Sequence, residues 1–260
     1  MLHFKLSVAV VIALASCTMP TSQKSMGDNQ AETAKSDSVP VATTSFSIDG
    51  DTLKWGHHAY VMTGDMGDEY VEGAVGQVSF TNVPSDFTEF KTVYEKFLGT
   101  TPYGTAAMLP MAFELYARQK NVGDSCLQLL CSDLCYKEVL RELPRKLNAS
   151  EQSPASDPYV QRCLPAAVLQ GATKENGYNP TEPYTVTMTI GMKRTYREGS
   201  EVLQAYTYQL DIVADGNAWN TPHRTVRLQR GWSDLLYKVN TCGSLYFNIY
   251  APRKPWQGLK

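Results

Sequence analysis

The chain has 260 residues with 24 basic and 26 acidic side chains, a formal net charge of −2, and 43% hydrophobic residues. With no basic cluster along it, there is no electrostatic case for a nucleic-acid partner. The part beyond residue 45 is long enough for one large domain or two small ones. Tyrosine is abundant, 15 in all, which fits strand-rich structure first and a polar binding surface second.

The chain opens MLHFKLSVAVVIALASC, with Lys5 ahead of an apolar run from Leu6 to Ala15 and small residues before Cys17. A charged start, a short apolar core and a small-residue site make a secretion signal, and the run is too short to span a bilayer as a mature helix. Leu14-Ala15-Ser16-Cys17 resembles the lipobox of bacterial lipoproteins. The resemblance implies cleavage after Ser16, leaving residues 1–16 as signal peptide and Cys17 as the acylated residue. Each buried CH2 of an acyl chain contributes about 0.8 kcal/mol, so several chains on one residue anchor firmly. Thr18 to Ser45 lacks aromatic residues and is poor in branched aliphatics, the composition of a disordered tether with a reach of about 30 Å. None of Thr18 to Ser22 is acidic, whereas surface export of similar lipoproteins goes with acidic residues there. The expected location is therefore the cell envelope, lipid-anchored and facing the periplasm.

Beyond the tether, residues 46–260 are expected to form a single domain. Phe46 to Asp51 and Tyr70 to Thr81 alternate partially as strands, and the Gly- and Asp-rich stretch between them, with His57 and His58, is expected to form turns. From Val83 the period changes. Phe87, Phe90, Val93, Tyr94 and Phe97 share one helical face, with Ser85 as the expected N-cap. Thr101-Pro102 starts a second helix, which Pro110 should kink or break. Asn121-Val122-Gly123 punctuates the chain, and helical periodicity resumes from Asp124, again from Ser132, and again over Asp157 to Gln170. Gln170 to Tyr184 is a junction in which Asn176-Gly177 suits a turn and Pro180 and Pro183 hold the backbone extended. The period then becomes two over Tyr184 to Arg194, Ala205 to Ala214 and Arg224 to Trp232, and the stretch after Trp232 reads as a strand, a short helix or both. This pattern predicts an α+β fold in which a helical layer, about residues 85–170, packs on a C-terminal antiparallel sheet.

With Cys17 acylated, Cys126, Cys131, Cys135, Cys163 and Cys242 remain. An oxidising compartment permits disulfides, but an odd count leaves at least one thiol over. Cys131 and Cys135 have the spacing of one helix face, and the turn-borne knuckle of a zinc site is absent. Buried cysteines acting as small hydrophobes are expected, with one disulfide involving Cys163 or Cys242 left open.

Three segments carry a resemblance. LGTTPYGTAAMLPMAFELYA, YVQRCLPAAVLQGATKENGYNPTEPYTVTM and DGNAWNTPHRTVRLQRGWSDLLYKV are similar to an uncharacterised family, a domain of unknown function found mainly in Bacteroides and Clostridium relatives. The likeness runs from Val83 to Pro252 and is most specific over Asn176 to Tyr184, then over Pro222 to Leu228, although Gln229 stands where a basic residue is expected. It implies continuity of fold and no catalytic residue.

The chemistry-bearing patterns are sparse. No GxSxG elbow or phosphate-binding GK[ST] loop occurs, and Gly231-Trp232-Ser233-Asp234 fails at the last glycine. His57 and His58, with Asp65, Asp68 and Glu69, concentrate His and carboxylate, but adjacent strand histidines point to opposite faces. Cys163 with His223 would make a thiol nucleophile only if Cys163 were exposed, and its helix-face neighbours predict burial. Paired carboxylates for glycosidic chemistry are not decided by spacing. The expectation is a non-catalytic envelope protein with no metal and no cofactor, binding a ligand or an envelope protein. Its candidate pocket is made of Asn176, Tyr178 and Tyr184 from the junction with Trp219 and His223 from the loop between the later strands. The alternative is a hydrolase acting on an envelope or dietary polymer.

Overall fold

The structure, a computed structural model, describes residues 45–65, 71–147, 162–198, 203–214, 223–231, 233–246, 249 and 254–260. The leader, Cys17 and the tether up to residue 44 lie outside the described residues, as does Trp219. Thr43–Lys260 forms one compact unit. The fold is α+β, as the periodicity predicts, but the sheet is larger than the C-terminal half alone supplies. Among the described residues it has eight strands, all antiparallel and in chain order: β1 Phe46–Asp49, β2 Thr52–Trp55, β3 His58–Gly64, β4 Val75–Phe80, β5 Tyr184–Glu198, β6 Leu203–Val213, β7 His223–Gly231 and β8 Lys238–Thr241. Among the described residues four α-helices, α1 Phe87–Lys96, α2 Pro102–Arg118, α3 Lys120–Leu130 and α4 Asp133–Leu147, are inserted between β4 and β5.

The expected turns around His57 and His58 are only partly found. Gly56 and His57 form a two-residue connection, and His58 then opens β3 opposite Trp55. His58, Tyr60 and Met62 alternate inward and are buried, so tertiary burial of three residues overrides the turn-rich composition around them. Pairing of β4 with β5, from Phe80 opposite Tyr184 to Val75 opposite Thr189, then joins the N-terminal strands to the later ones.

Asp86, not Ser85, caps α1: its Oδ1 accepts from the Glu89 N–H at 2.9 Å, a cap that contributes about 1 kcal/mol. Ser85 has another role, donating its N–H and Oγ–H to Glu89 Oε2, each at 2.7 Å. In α2 every residue from Pro102 to Tyr116 is buried, the signature of a helix enclosed on all sides. It contacts β4, β6, β7 and β8 on one side and α1 and α3 on the other. The expected break at Pro110 does not occur, and the helix continues to Arg118. A proline in a helix interior costs about 3 kcal/mol, which packing on every side of α2 outweighs.

Asn121-Val122-Gly123 does not punctuate the chain but lies inside α3, which begins at Lys120. The reason is packing: a Cβ at Gly123 would stand 2.1 Å from the Tyr116 backbone, so glycine there lets α3 close on α2. Cys131 ends α3 in extended conformation and Cys135 lies in the first turns of α4, so the two do not share one helix. Of the helix expected over Asp157 to Gln170, the described part is a single 3-10 turn, Leu164–Val168.

The inner face of the sheet, including Leu53, Val78, Val186, Met188, Leu210 and Val226, is fully buried against the helices. Each such side chain contributes about 1.5–3 kcal/mol by leaving water. The opposite face carries Gln77, Ser79, Thr185, Thr187, Gln209 and Asp211 in the alternate positions. No described helix covers it.

Candidate functional site

The junction expected to carry ligand-binding aromatics is turned inward. Asn176 Oδ1 accepts from the N–H groups of Thr173 at 3.0 Å and Asn179 at 3.1 Å, and its Nδ2 donates to the carbonyls of Gly171 at 2.7 Å and Asn179 at 2.9 Å. All four hydrogen-bonding positions of that amide are used within the loop. Tyr178 sits at φ 57°, a conformation unusual for a side chain of this size, and is buried to 1% exposure. Tyr184 is buried, packs edge-on against Phe80 with ring centroids 5.4 Å apart, and its hydroxyl accepts from the Lys260 N–H at 2.9 Å.

What the junction holds is the chain's own segment Lys254–Lys260. Asn179 Nδ2 donates to the Pro255 carbonyl at 3.3 Å, the Gln257 N–H donates to Asn179 Oδ1 at 3.1 Å, and Lys260 Nζ pairs with Glu182 at 2.6 Å. The Val83 N–H donates to the Lys260 carbonyl at 2.8 Å, so this segment ties the junction to the start of the helical layer. Only the backbone of His223 is described. It pairs with Val213 at the sheet end where β5 begins, the end expected for the pocket. A depression of about 250 Å³ lies there between Gln77, Gln170, Thr187 and Val213; neither Tyr178 nor Tyr184 lines it.

A second depression on the uncovered face, about 80 Å³, is lined by Met192, Arg194, Thr207, Gln209 and Arg227. It lies beside a β-bulge. Register shifts between Ile190 and Met192 around Gly191, and a bulge exchanges the faces of every residue beyond it. Before the bulge Val186, Met188 and Ile190 face the helices; after it Lys193 faces inward, its ammonium 5.8 Å from the Tyr208 ring centre. Met192 and Arg194 are thereby placed on the uncovered face. There Arg194 stands opposite Thr207 on β6, and Arg227 on β7 stands opposite Gln209. Both arginines are exposed, and neither has a carboxylate partner among the described residues. The nearest acidic residue along β6, Asp211, accepts from Thr225 Oγ1 at 2.9 Å. Two guanidinium groups beside a hydroxyl and an amide make a surface suited to an oxyanion, because the planar guanidinium donates in pairs to carboxylate, sulfate or phosphate.

Two buried polar groups lie elsewhere. His58 is not in an exposed loop as expected: its Nδ1 lies 2.6 Å from Glu89 Oε1, which also accepts from Tyr60 Oη at 2.7 Å. Counting both Ser85 donors, the fully buried Glu89 carboxylate receives four hydrogen bonds. Burial raises the Tyr60 phenol far above its ordinary value, and the neighbouring Glu89 adds to that shift. Glu114 is also buried; its Oε1 accepts from Arg118 Nε at 2.7 Å, and its Oε2 has no hydrogen-bond partner among the described residues. Burial raises the Glu114 pKa, against the opposing influence of Arg118 and Arg162.

All five cysteines in the described chain are buried, as expected of small hydrophobes. Burial pushes the Cys126 thiol up to about 12, which removes it as a nucleophile at neutral pH. No group of three or more His, Cys, Asp or Glu among the described residues is arranged to hold a metal ion. No described helix is long and apolar enough to cross a membrane.

No curated protein and no solved structure matches the chain. A family model described as a domain of unknown function (DUF6935) matches residues 82–253. The matched span holds the four helices and β5 to β8 but leaves out β1 to β4, so the Glu89 site joins a residue inside the span to His58 and Tyr60 outside it. With most of its length matched, the chain belongs to the DUF6935 family.

Proposed function

We propose that this protein is a lipid-anchored component of the cell envelope, held through Cys17 and a flexible tether, that binds rather than transforms its ligand. The uncovered face of the sheet is the binding surface, and the ligand carries an oxyanion, such as the carboxylate, sulfate or phosphate of an envelope glycan. The observation that carries this reading is the pair Arg194 and Arg227, exposed on one sheet face, lining one depression and lacking a described carboxylate partner. The leader sequence supports the location: a basic start, a short apolar run and a lipobox-like Leu-Ala-Ser-Cys. The buried junction aromatics shift the proposed surface from Tyr178 and Tyr184 to the sheet.

The test has two parts. Cells expressing the full chain are labelled with radioactive palmitate, and label that disappears in Cys17→Ala supports the anchor; label retained in that variant refutes it. The full chain in detergent is then titrated calorimetrically with acidic polysaccharides and their neutral counterparts. Binding selective for the acidic polymers, weakened about 10- to 100-fold by Arg194→Gln or Arg227→Gln, is the expected result, since a charged hydrogen bond contributes about 1.5–3 kcal/mol. Equal binding of neutral and acidic polymers, or binding indifferent to both substitutions, removes the arginine face from consideration. Release of shortened polymer during the titration would identify a hydrolase instead.

A further inference from the structure

Near the junction of α4 with the last strand lies a group of thiols that the binding reading does not use. Cys135 in α4 and Cys242, just beyond β8, have Sγ atoms 3.7 Å apart although 107 residues separate them in the chain. Both are 1% exposed. Cys131 interacts with Cys135 from the other side, and Tyr246 Oη lies 3.4 Å from Cys242 Sγ. The surrounding backbone is fixed: the Ser132 N–H donates to the Val239 carbonyl at 2.8 Å, and Cys131 bridges to Val239. The two sulfurs are already in van der Waals contact, and the bonding distance is about 2.0 Å.

We infer that Cys135 and Cys242 are joined as a disulfide in the mature protein, locking α4 onto the end of the sheet. The oxidant is another disulfide, small or protein-borne. The thiolate of one cysteine attacks it, forming a mixed disulfide and releasing one thiol. The thiolate of the second cysteine attacks the mixed disulfide at the first cysteine's sulfur, forming the Cys135–Cys242 bond and releasing the second thiol. Two electrons and two protons pass to the oxidant, and the cysteines are oxidised. Because hydrogen bonds with neighbouring thiols, Cys131 for Cys135 and Cys135 for Cys242, and then burial hold both groups above the ordinary thiol range in the folded protein, the exchange belongs to folding, before the site closes, and the finished bond is shielded from reductant. Cys131 is left as the unpaired third thiol. The bond closes a long loop, the case in which a cross-link restricts the unfolded chain most. The occurrence of the bond in cells rests on the envelope location proposed above; the capacity of this pair to form it does not.

The experiment therefore has two arms. Full-length protein is taken from cells with alkylation of all thiols under denaturing conditions at lysis, digested without reductant, and analysed by mass spectrometry. A second sample of the full chain is unfolded, reduced and refolded in oxidised and reduced glutathione before the same digestion. The expected product in both arms is a peptide pair joining Cys135 to Cys242, lighter by two hydrogens than the sum of its thiols. Wild-type chain reduced while unfolded and refolded in reductant should melt about 5 to 10 °C below the oxidised chain, a difference lost in Cys135→Ser and Cys242→Ser and retained in Cys126→Ser. A bond formed in glutathione but absent from cells overturns the inference for the mature protein and, with the pair's capacity shown, places the fault in the oxidising location it rests on. Full alkylation of both cysteines in both arms, or a Cys131–Cys135 pair in their place, overturns the inference, and the wild-type comparison decides it even if the serine variants fail to fold.

Discussion

Glu89 gives the sharpest test of how the helical layer is joined to the N-terminal strands. Its Oε1 serves His58 Nδ1 and Tyr60 Oη from β3, and its Oε2 serves the N–H and hydroxyl of Ser85. In Glu89→Ala the buried His58 and Tyr60 lose their acceptor away from water, whereas exposed Ser85 can turn to solvent. The Tyr60 hydroxyl is fully buried, and a buried donor left unsatisfied costs about 1–3 kcal/mol. Adding the cavity and the stranded imidazole, the variant should lose about 3–5 kcal/mol, a fall in melting temperature of about 6–20 °C at this chain length. Glu89→Gln should behave differently. Its single carbonyl oxygen can serve Ser85 while its NH2 faces Tyr60 Oη and His58 Nδ1, and both can accept, the imidazole by carrying its proton on Nε2. That variant should lose less than about 1.5 kcal/mol. Urea unfolding measures both, with the midpoint shift read at constant m. If alanine proves as mild as glutamine the network contributes little to stability, and if glutamine proves as severe as alanine the hydrogen-bond accounting is wrong.

The buried Glu114 predicts a pH dependence. Its folded pKa is raised by burial, so the folded state binds this proton more tightly than the unfolded one. Its contribution is therefore complete below the ordinary value of 4.5 and is lost as pH rises through the raised folded value. Glu114→Gln should remove that loss: urea midpoints of variant and wild type should hold a constant offset below about pH 4.5 and move in the variant's favour as pH rises. Parallel curves across the range would contradict the assignment. In the junction, Asn176→Asp keeps the shape but replaces the Nδ2 donor with an oxygen facing the Gly171 and Asn179 carbonyls. The expected loss is about 2–4 kcal/mol, and a loss under about 1 kcal/mol in urea unfolding would mean that the loop does not depend on this amide.

Most elements were legible because their apolar spacing is set by the core they build. The Phe87 to Phe97 face, the buried α2 and the alternation of β5 to β7 all follow from that constraint. Misreadings arose where local chemistry and tertiary packing conflict. Gly123 looks like a break in sequence, yet only the backbone of Tyr116 close against it explains a glycine inside α3. His58 looks like part of a polar loop, and its strand is visible only through its partners: the β2 hairpin on one side and Glu89, distant in sequence, on the other. The junction was legible as a junction, since Asn-Gly and two prolines impose turn and extension locally. That its amides hold Lys254–Lys260 was not, because a loop's partner distant in the chain leaves no periodic trace.

The candidate face was the least legible part, for a reason inherent to sheets. Alternation marks one set of residues for the core and leaves the other set unconstrained by folding, so the positions that can carry binding are those about which periodicity says least. Arg194 and Arg227 become neighbours only through two strand pairings and a bulge. Continued without that bulge, the alternation of Val186, Met188 and Ile190 would turn Met192 and Arg194 toward the helices and Lys193 toward solvent. Gly191 was the sequence signal, since a glycine inside a strand pattern often marks a bulge. Read that way, the same residue that interrupts the core pattern creates the exposed one: the bulge moves Lys193 onto Tyr206 and Tyr208 and releases Arg194 to share a face with Arg227.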